Sequence, residues 1–438
     1  LRLAAALEAE GISLLGTPSG AIDLAEDRER FGSLLTELGL ATPPWAVAED
    51  VDQILPAAEE VGYPVLIRPS YVLGGRGMEI CDDAEQVRAY IDRHVPEGRT
   101  FIDRFLDGAL EIDVDALADG GSVWTAAVME HVEAAGVHSG DSACVLPPQS
   151  LGPATIAEIE HQTAALGVAL GVVGLMNVQF VIHRGEILVI EANPRASRTV
   201  PFVSKATGVP LVAHAVSIML GARLEHLDLP PGPPPGQVAV KEAVLPFDRF
   251  PGADPVLGPE MHATGEVMAL GGSFPEAFAK AQRAARQPLP AEGPVFLSVR
   301  DADKPGAVGL AADLSRAGYP LLATPGTAAA LTAAGIAVET VQKIMTGDTM
   351  ITDRIAAGEI ALVIDTPSGS GAHVDGGAIR RAAVRAGIPC ITSLAAALAA
   401  GRAMIRRPAA HVRALQDLDS EPRGPRIISP VVGGEGDG

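Results

Sequence analysis

The sequence predicts a multidomain protein of combined α/β and α+β class, on three observations. A chain of 438 residues is longer than one hydrophobic core organises, so two to three domains are expected. From residue 25 to about residue 222, apolar segments of strand length alternate with segments of helical period. After a break at RQPLPAEGP (Arg286–Pro294) a tighter βαβαβ pattern begins, which implies a parallel sheet with ligand sites at the carboxyl ends of its strands. Hydrophobic residues make up 47% of the chain and charged residues 20%, so sizeable cores form and global disorder is excluded.

Taken in order, residues 1–24 read as a helix, a strand at Ile12–Leu15 and a turn at GTPSG, the closing unit of a domain that begins before Leu1. AEDRERF (Ala25–Phe31) opens a polar helix that runs to Leu38 and stops at Gly39. YPVLIR and ILVIEAN read as strands and IAEIEHQTAALGVAL as a helix. PPGPPPG (Pro230–Gly236) is a turn-rich linker, because proline extends neither helix nor inner strand. Beyond Arg286, VFLSVR, YPLLAT, IAVETV, ALVIDT and IPCIT supply strands and AVGLAADLSRAG and TAAALTAAG supply helices. From Arg406 the chain turns Pro-, Gly- and charge-rich and is expected to be a disordered tail, 406–438.

The balance of 33 Lys+Arg against 54 Asp+Glu leaves a net charge of −21, which argues against wrapping nucleic acid or lying on an anionic membrane but leaves room for one local anion pocket. Cys81, Cys144 and Cys390 are far apart and odd in number, so neither a disulfide framework nor a zinc site is expected, and a reducing cytoplasm fits. The longest apolar run, Ala164–Met176, is too short to span a bilayer, and LRLAAALEAE reads as an amphipathic helix rather than a signal peptide.

Four stretches carry chemistry. RPSYVLGGRGME (Arg68–Glu79) ends a strand in Arg68 and follows it with Gly74, Gly75 and Gly77, which let a backbone approach phosphate oxygens; glycine content alone equally suits a tight turn with solvated arginines. QFVIHRGEILVIEANPR (Gln179–Arg195) reads as a β-hairpin turning at Arg184-Gly185, with Gln179, Glu191 and Asn193 offering oxygens around one point. Such hard donors suit Mg²⁺ or Mn²⁺ shared with nucleotide phosphates, although a Glu-x-Asn pair by itself reads as an exposed polar hairpin end. In NPRASRT, Arg195 and Arg198 stand three residues apart, a spacing that serves an anion clamp or surface salt bridging. MEHVEAAGVHSGDSAC (Met129–Cys144) crowds Glu130, His131, Glu133, His138 and Asp141 among small residues, a density a structural loop does not need.

Together with EIDVDAL, GLMNVQF, TVPFVSKATGVPL and VLPFDRFPGADPVLGPEMHATGEVM, these stretches resemble the C-terminal half of the carbamoyl phosphate synthase large subunit from residue 1 to about residue 400. The resemblance implies residues 1–24 as the remnant of a pre-ATP-grasp domain, 25–229 as an ATP-grasp fold, 230–290 as its C-terminal extension and linker, and 291–405 as a Rossmann-like, methylglyoxal-synthase-like allosteric domain. The implied reaction is ATP-dependent phosphorylation of carbamate, feeding arginine and pyrimidine biosynthesis, with ATP and two Mg²⁺ or Mn²⁺ ions as cofactors. It also implies two partners, the N-terminal half of the large subunit and a glutaminase small subunit.

Carried over by motif, Arg68 contacts phosphates, Arg104 and Leu106 the base, Glu111 the ribose, and Gly136, Val137, His138 and Ser139 line the same site. Gln179 and Glu191 hold one ion and Glu191 and Asn193 a second, with Arg195 and Arg198 facing carbamate and the transferring phosphoryl group. In the last domain Lys304, Thr324, Thr327, Lys343 and Asp365 match a nucleotide-effector site, and Glu133, Asp141, Glu242 and Thr392 match an ornithine site. Four positions depart from the family: Arg104 stands where His is common, Asp365 where Asn is common, Pro367 where Thr is common, and Cys390 near an expected Tyr. Two other readings stay open at this level: another ATP-grasp ligase, and a non-catalytic nucleotide-binding regulatory fragment.

Overall fold

The computed structural model describes residues 3–12, 14–69, 74–94, 98–230, 232, 236–250, 252–342, 350–367 and 369–406. Lys343 and the expected tail beyond Arg406 lie outside the described residues. Three sheets organise the chain.

The first sheet holds β1 (Trp45–Ala48), β2 (Val65–Pro69), β3 (Glu79–Cys81) and β4 (Thr100–Arg104) in the order β1-β4-β2-β3. Helices Val51–Val61 and Ala84–His94 cover one face, burying Ile54, Ala58, Val87 and Tyr90 against Val65, Ile67 and Ile102. Asp50 caps the first of these helices, its carboxylate accepting from the Asp52 and Gln53 amides.

The second sheet is built from β5 (Leu110–Asp119), β6 (Val123–Ala134), β7 (Cys144–Leu146), β8 (Val173–His183), β9 (Glu186–Asn193), β10 (Val238–Val244) and β11 (Gly265–Gly271), in the order β11-β10-β7-β6-β5-β8-β9. All its pairings are antiparallel. The segment 230–290, read as an extension and linker, therefore contributes two strands to the same sheet as the hairpin. Along β5 the period-two alternation of EIDVDAL separates two environments. Ile112, Val114 and Ala116 pack with Met176, Val178 and Phe180 under the helix Pro153–Ala169, while Glu111, Asp113 and Asp115 line the opposite face.

The third sheet is parallel: β12 (Val295–Ser298), β13 (Leu321–Ala323), β14 (Glu339–Thr340), β15 (Leu362–Asp365) and β16 (Cys390–Ile391), in the order β14-β13-β12-β15-β16. Its central strands β12, β13 and β15 are largely apolar because both faces are covered: Val295 and Leu297 face one core, Phe296 and Val363 another. The last helix, Leu394–Arg406, joins this domain to the second sheet, with Ala399, Ala400 and Ala403 against Phe274 and Phe278. Across the same boundary Arg380, 1% exposed, donates to Asp254 at 2.5 and 2.6 Å and to Asp365 at 2.7 Å.

The strand expected at Ile12–Leu15 is not formed: Ile12, Leu14 and Leu15 are irregular chain between the helices Ala4–Ala9 and Ser19–Glu26. A strand needs a ladder partner, and Thr17 provides the link to the second sheet, exchanging hydrogen bonds through its hydroxyl with the backbone of Val173. Among the described residues no single helix is long and apolar enough to cross a membrane.

Candidate nucleotide site and effector sites

The polar face of the second sheet and the glycine-bearing hairpin of the first enclose a cavity of about 530 Å³. Its wall is assembled from strand ends. Arg68 enters from β2, Arg104 and Leu106 from the end of β4, Glu111 from β5, and Gln179 and Glu191 from β8 and β9. Gly136, Val137, His138 and Ser139 enter from the loop after β6, and Asn193 and Arg195 close the end beyond β9. Every residue assigned from sequence to nucleotide or metal thus lies on one cavity. Of the two arginines of NPRASRT, Arg195 lines it and Arg198 does not; Arg198 leaves the wall to set its Nη1 against the Met261 thioether.

Two glycines explain the local shape. Gly75 has φ +71, and a Cβ there would sit 2.0 Å from the Pro259 carbonyl, so only glycine lets the hairpin meet the 258–261 segment, where the Met261 amide donates to the Gly74 carbonyl at 3.0 Å. Gly136 has φ +106, and a Cβ there would lie 2.7 Å from the Phe105 ring, which forms the adjoining wall.

The hairpin register brings the oxygen donors together. Gln179 pairs with Glu191 and Asn177 with Asn193, so all four side chains share a face, and a register shift after Gln179 leaves Ile190 without a cross-strand partner. Arg184 (φ 53) and Gly185 (φ 85) make the turn, both left-handed. Asn193 Nδ2 donates to Glu191 Oε1 at 2.8 Å, and Arg195 donates to Asn193 Oδ1 at 3.0 Å. The amide and carboxylate oxygens form a hard-donor set on one wall, which fits a magnesium-class cation.

Of the groups that hold these in place, sequence reading singled out His131 and missed the rest. Asp103 accepts from Arg28 Nη2 at 2.5 Å and pairs with Arg68 Nε at 2.7 Å, so Arg68 is anchored and Arg28 adds a second cation to the wall. Below Glu111, His131 Nε2 lies 2.9 Å from Asp113, and Asn177 Nδ2 reaches Asp113 at 3.3 Å and Asp115 at 3.0 Å. Burial opposes charge on His131, but Cys144, Glu111 and Asp113 together lift its pKa well above the usual histidine value. Burial pushes Glu111 up to about 7, with Asp113 and Glu191 adding to the rise and His131 and Lys241 opposing it. Lys241, 1% exposed on β10, donates to the Ser139 carbonyl at 3.0 Å and braces that loop from beneath. The signal for this layer was available: acids at every second residue of EIDVDAL mark one face of a strand.

A second cavity, of about 560 Å³, opens between the second sheet and the parallel domain. Glu133, Asp141, Glu242 and Thr392 line it, with Cys390. Glu133 accepts from Ser142 Oγ and the Ala143 amide, each at 2.7 Å; Asp141 from the His262 and Ala263 amides at 2.7 and 2.8 Å; Glu242 from Gln282 Nε2 at 2.6 Å. Burial, reinforced by Glu133, pushes Glu242 up to about 8. In the parallel domain, Lys304, Thr324 and Thr327 meet where β13 ends and the helix Pro325–Ala333 begins: the two hydroxyls are 3.3 Å apart, and Thr327 accepts from the Val299 amide at 3.1 Å. Asp365 ends β15 as a buried ion-pair partner of Arg380.

A polar-faced antiparallel sheet roofed by a glycine hairpin from a small α+β lobe defines the ATP-grasp class. Similarity to solved structures agrees at the level of fold. The biotin carboxylase domain of Hydrogenobacter thermophilus 2-oxoglutarate carboxylase, solved with MgADP, ADP and bicarbonate, matches with a TM-score of 0.52 at 20% identity, over 65% of this chain and 70% of that one. Residues 27–227 match the family described as carbamoyl-phosphate synthase L chain, ATP binding domain, and residues 306–392 the MGS-like domain. The C-terminal section of the carbamoyl phosphate synthase large chain of Methanopyrus kandleri is 46% identical over 98% of this chain and 82% of its own length. The chain belongs to the carbamoyl phosphate synthase large chain family. The large chain of Rhodopirellula baltica is 49% identical over 92% of this chain, which spans 38% of that relative's length.

Proposed function

We propose that this chain phosphorylates carbamate with ATP, releasing carbamoyl phosphate and ADP, as the C-terminal synthetic unit of a glutamine-dependent carbamoyl phosphate synthase. The observation that carries this reading is the single cavity on which Arg68, Glu111, Gln179, Glu191, Asn193 and Arg195 converge. An oxygen of the carbamate carboxylate forms a bond to the γ-phosphorus as the bond from phosphorus to the β-bridging oxygen breaks and ADP leaves. Both reactants are anions and no proton has to move, so the residues' task is to align them and to offset negative charge. Glu111 orients the ribose, Arg68 and Arg28 stand on the phosphate side, and Arg195, tied to Asn193, faces the transferring group. Mg²⁺ or Mn²⁺, held as two ions between Gln179 and Glu191 and between Glu191 and Asn193, would supply charge neutralisation to the β- and γ-phosphates. Arg198 takes part once it swings from Met261 toward the cavity.

The preceding half of a large subunit would supply carbamate, and a glutaminase small subunit the ammonia. A nucleotide effector would bind at Lys304, Thr324, Thr327 and Lys343, beside Asp365. The cavity of Glu133, Asp141, Glu242 and Thr392 would take the amino groups of ornithine, since it is a converging set of carboxylates. The reading is tested by the reverse half-reaction: purified chain, Mg·ADP and carbamoyl phosphate, following ATP. ATP formation that disappears in Glu191→Ala supports it; ATP formation that persists in that variant overturns the metal assignment.

A further inference from the structure

Thr199 stands at the N-cap of the helix Val200–Thr207, yet its hydroxyl caps nothing in that helix. It points instead into the sheet and meets Asp115 Oδ2 at 2.6 Å. Ser197, two residues earlier, reaches the other oxygen of the same carboxylate at 2.9 Å, and the two hydroxyls lie 2.7 Å apart. Asp115 is fully buried at mid-strand on β5 and is itself held by Asn177 Nδ2 at 3.0 Å. A carboxylate in such a place is costly unless each oxygen has donors, and here both hydroxyl donors come from one loop. That loop carries Arg195 and Arg198 and links β9 to the helix.

We propose that Asp115 is a positioning residue for phosphoryl transfer: by holding the hydroxyls on either side of Arg198 it sets the path of the arginine loop against the cavity. This rests on the reading of Arg195 and Arg198 given above. Asp115 does not touch the cavity, so it acts only through the loop.

The test compares Asp115→Asn, Thr199→Val, Thr199→Ser and the double variant Asp115→Asn/Thr199→Val in the reverse half-reaction, alongside Mg·ADP binding by calorimetry and hydrogen exchange of the Arg195–Thr199 amides. Asp115→Asn is expected to lower kcat roughly 30-fold, as loss of a supporting shell does, with Mg·ADP affinity within about 3-fold of the parent. Loop amides are expected to exchange faster while the β5 amides do not. Thr199→Val should lower kcat in the same sense, Thr199→Ser should restore it, and the double variant should be no worse than Asp115→Asn. Unchanged kcat in Asp115→Asn, multiplicative losses in the double variant, or a parallel loss of Mg·ADP affinity and of protection throughout the sheet would each overturn the proposal. If Asp115→Asn does not fold, the Thr199→Val and Thr199→Ser pair decides. If the parent chain makes no ATP, the functional reading fails by itself, and exchange in the loop still shows whether Asp115 holds it.

Discussion

The antiparallel second sheet and the parallel third sheet use the same polypeptide chemistry in opposite ways. In the second, part of one face is polar: Glu111, Asp113 and Asp115 on β5 lie beside Asn177 and Gln179 on β8 and Glu191 and Asn193 on β9, while Leu117 and Leu175 farther along the same face pack under the helices Val200–Thr207 and Leu211–Met219. In the third, both faces of the central strands are apolar, and the candidate effector residues Thr324 and Asp365 stand at strand ends. An antiparallel sheet can leave one face uncovered, so charges can sit at mid-strand and be held by cross-strand neighbours. A parallel sheet between helices has no such face. Its polar groups gather where strands stop and helices begin.

The sharpest way to break this contrast is Glu191→Ala, which removes a donor rigidly placed by register. ATP formation from Mg·ADP and carbamoyl phosphate should fall by about 10³-fold or more, with circular dichroism and Tm little changed. Next is Arg380→Ala, which strikes the boundary between the two regions. It leaves Asp365 buried without its cation, and calorimetric unfolding should show the parallel domain losing about 3 kcal/mol while the ATP-grasp domain holds. A fall of equal size in both domains would make the triad a global rather than a boundary element.

A smaller effect comes from Glu242. Its folded pKa of about 8 lies above its ordinary value of 4.5, so the native state keeps a proton that the unfolded state releases. The stabilisation is complete below about pH 4.5 and is lost as pH rises toward 8. Tm measured across that window should therefore fall less steeply in Glu242→Gln than in the parent chain. Lys304→Ala should be smallest in basal terms. Its ion pair is to Asp301, which is exposed, so Tm should be little changed and basal turnover not at all, whereas inhibition by an anionic nucleotide effector should weaken. A large drop in basal rate would contradict the division between the two regions.

Much of the candidate nucleotide site was legible because it is written in periods of two. The Gln179–Arg195 hairpin, its Arg184-Gly185 turn and the shared face of Glu191 and Asn193 follow from alternation alone, and the structure reproduces each. The acids of EIDVDAL carry the same signal. What could not be read were partners distant in sequence. Arg28 meets Asp103 across 75 residues, and Asp365, matched in sequence to a nucleotide-effector site, is paired with Arg380. The strand read at Ile12–Leu15 has the same origin: apolar character suggested a strand, and among the described residues Ile12, Leu14 and Leu15 join none.

By itself, then, the sequence determined which residues alternate, where turns fall and which donor types cluster, because those depend on neighbours along the chain. Tertiary structure alone decided that Asp115 grips the arginine loop, that Arg380 spans two domains and that 230–290 adds two strands to the second sheet. Each of these pairs groups from separate segments, and whether a buried charge finds a donor depends on how the sheets close around it rather than on local spacing.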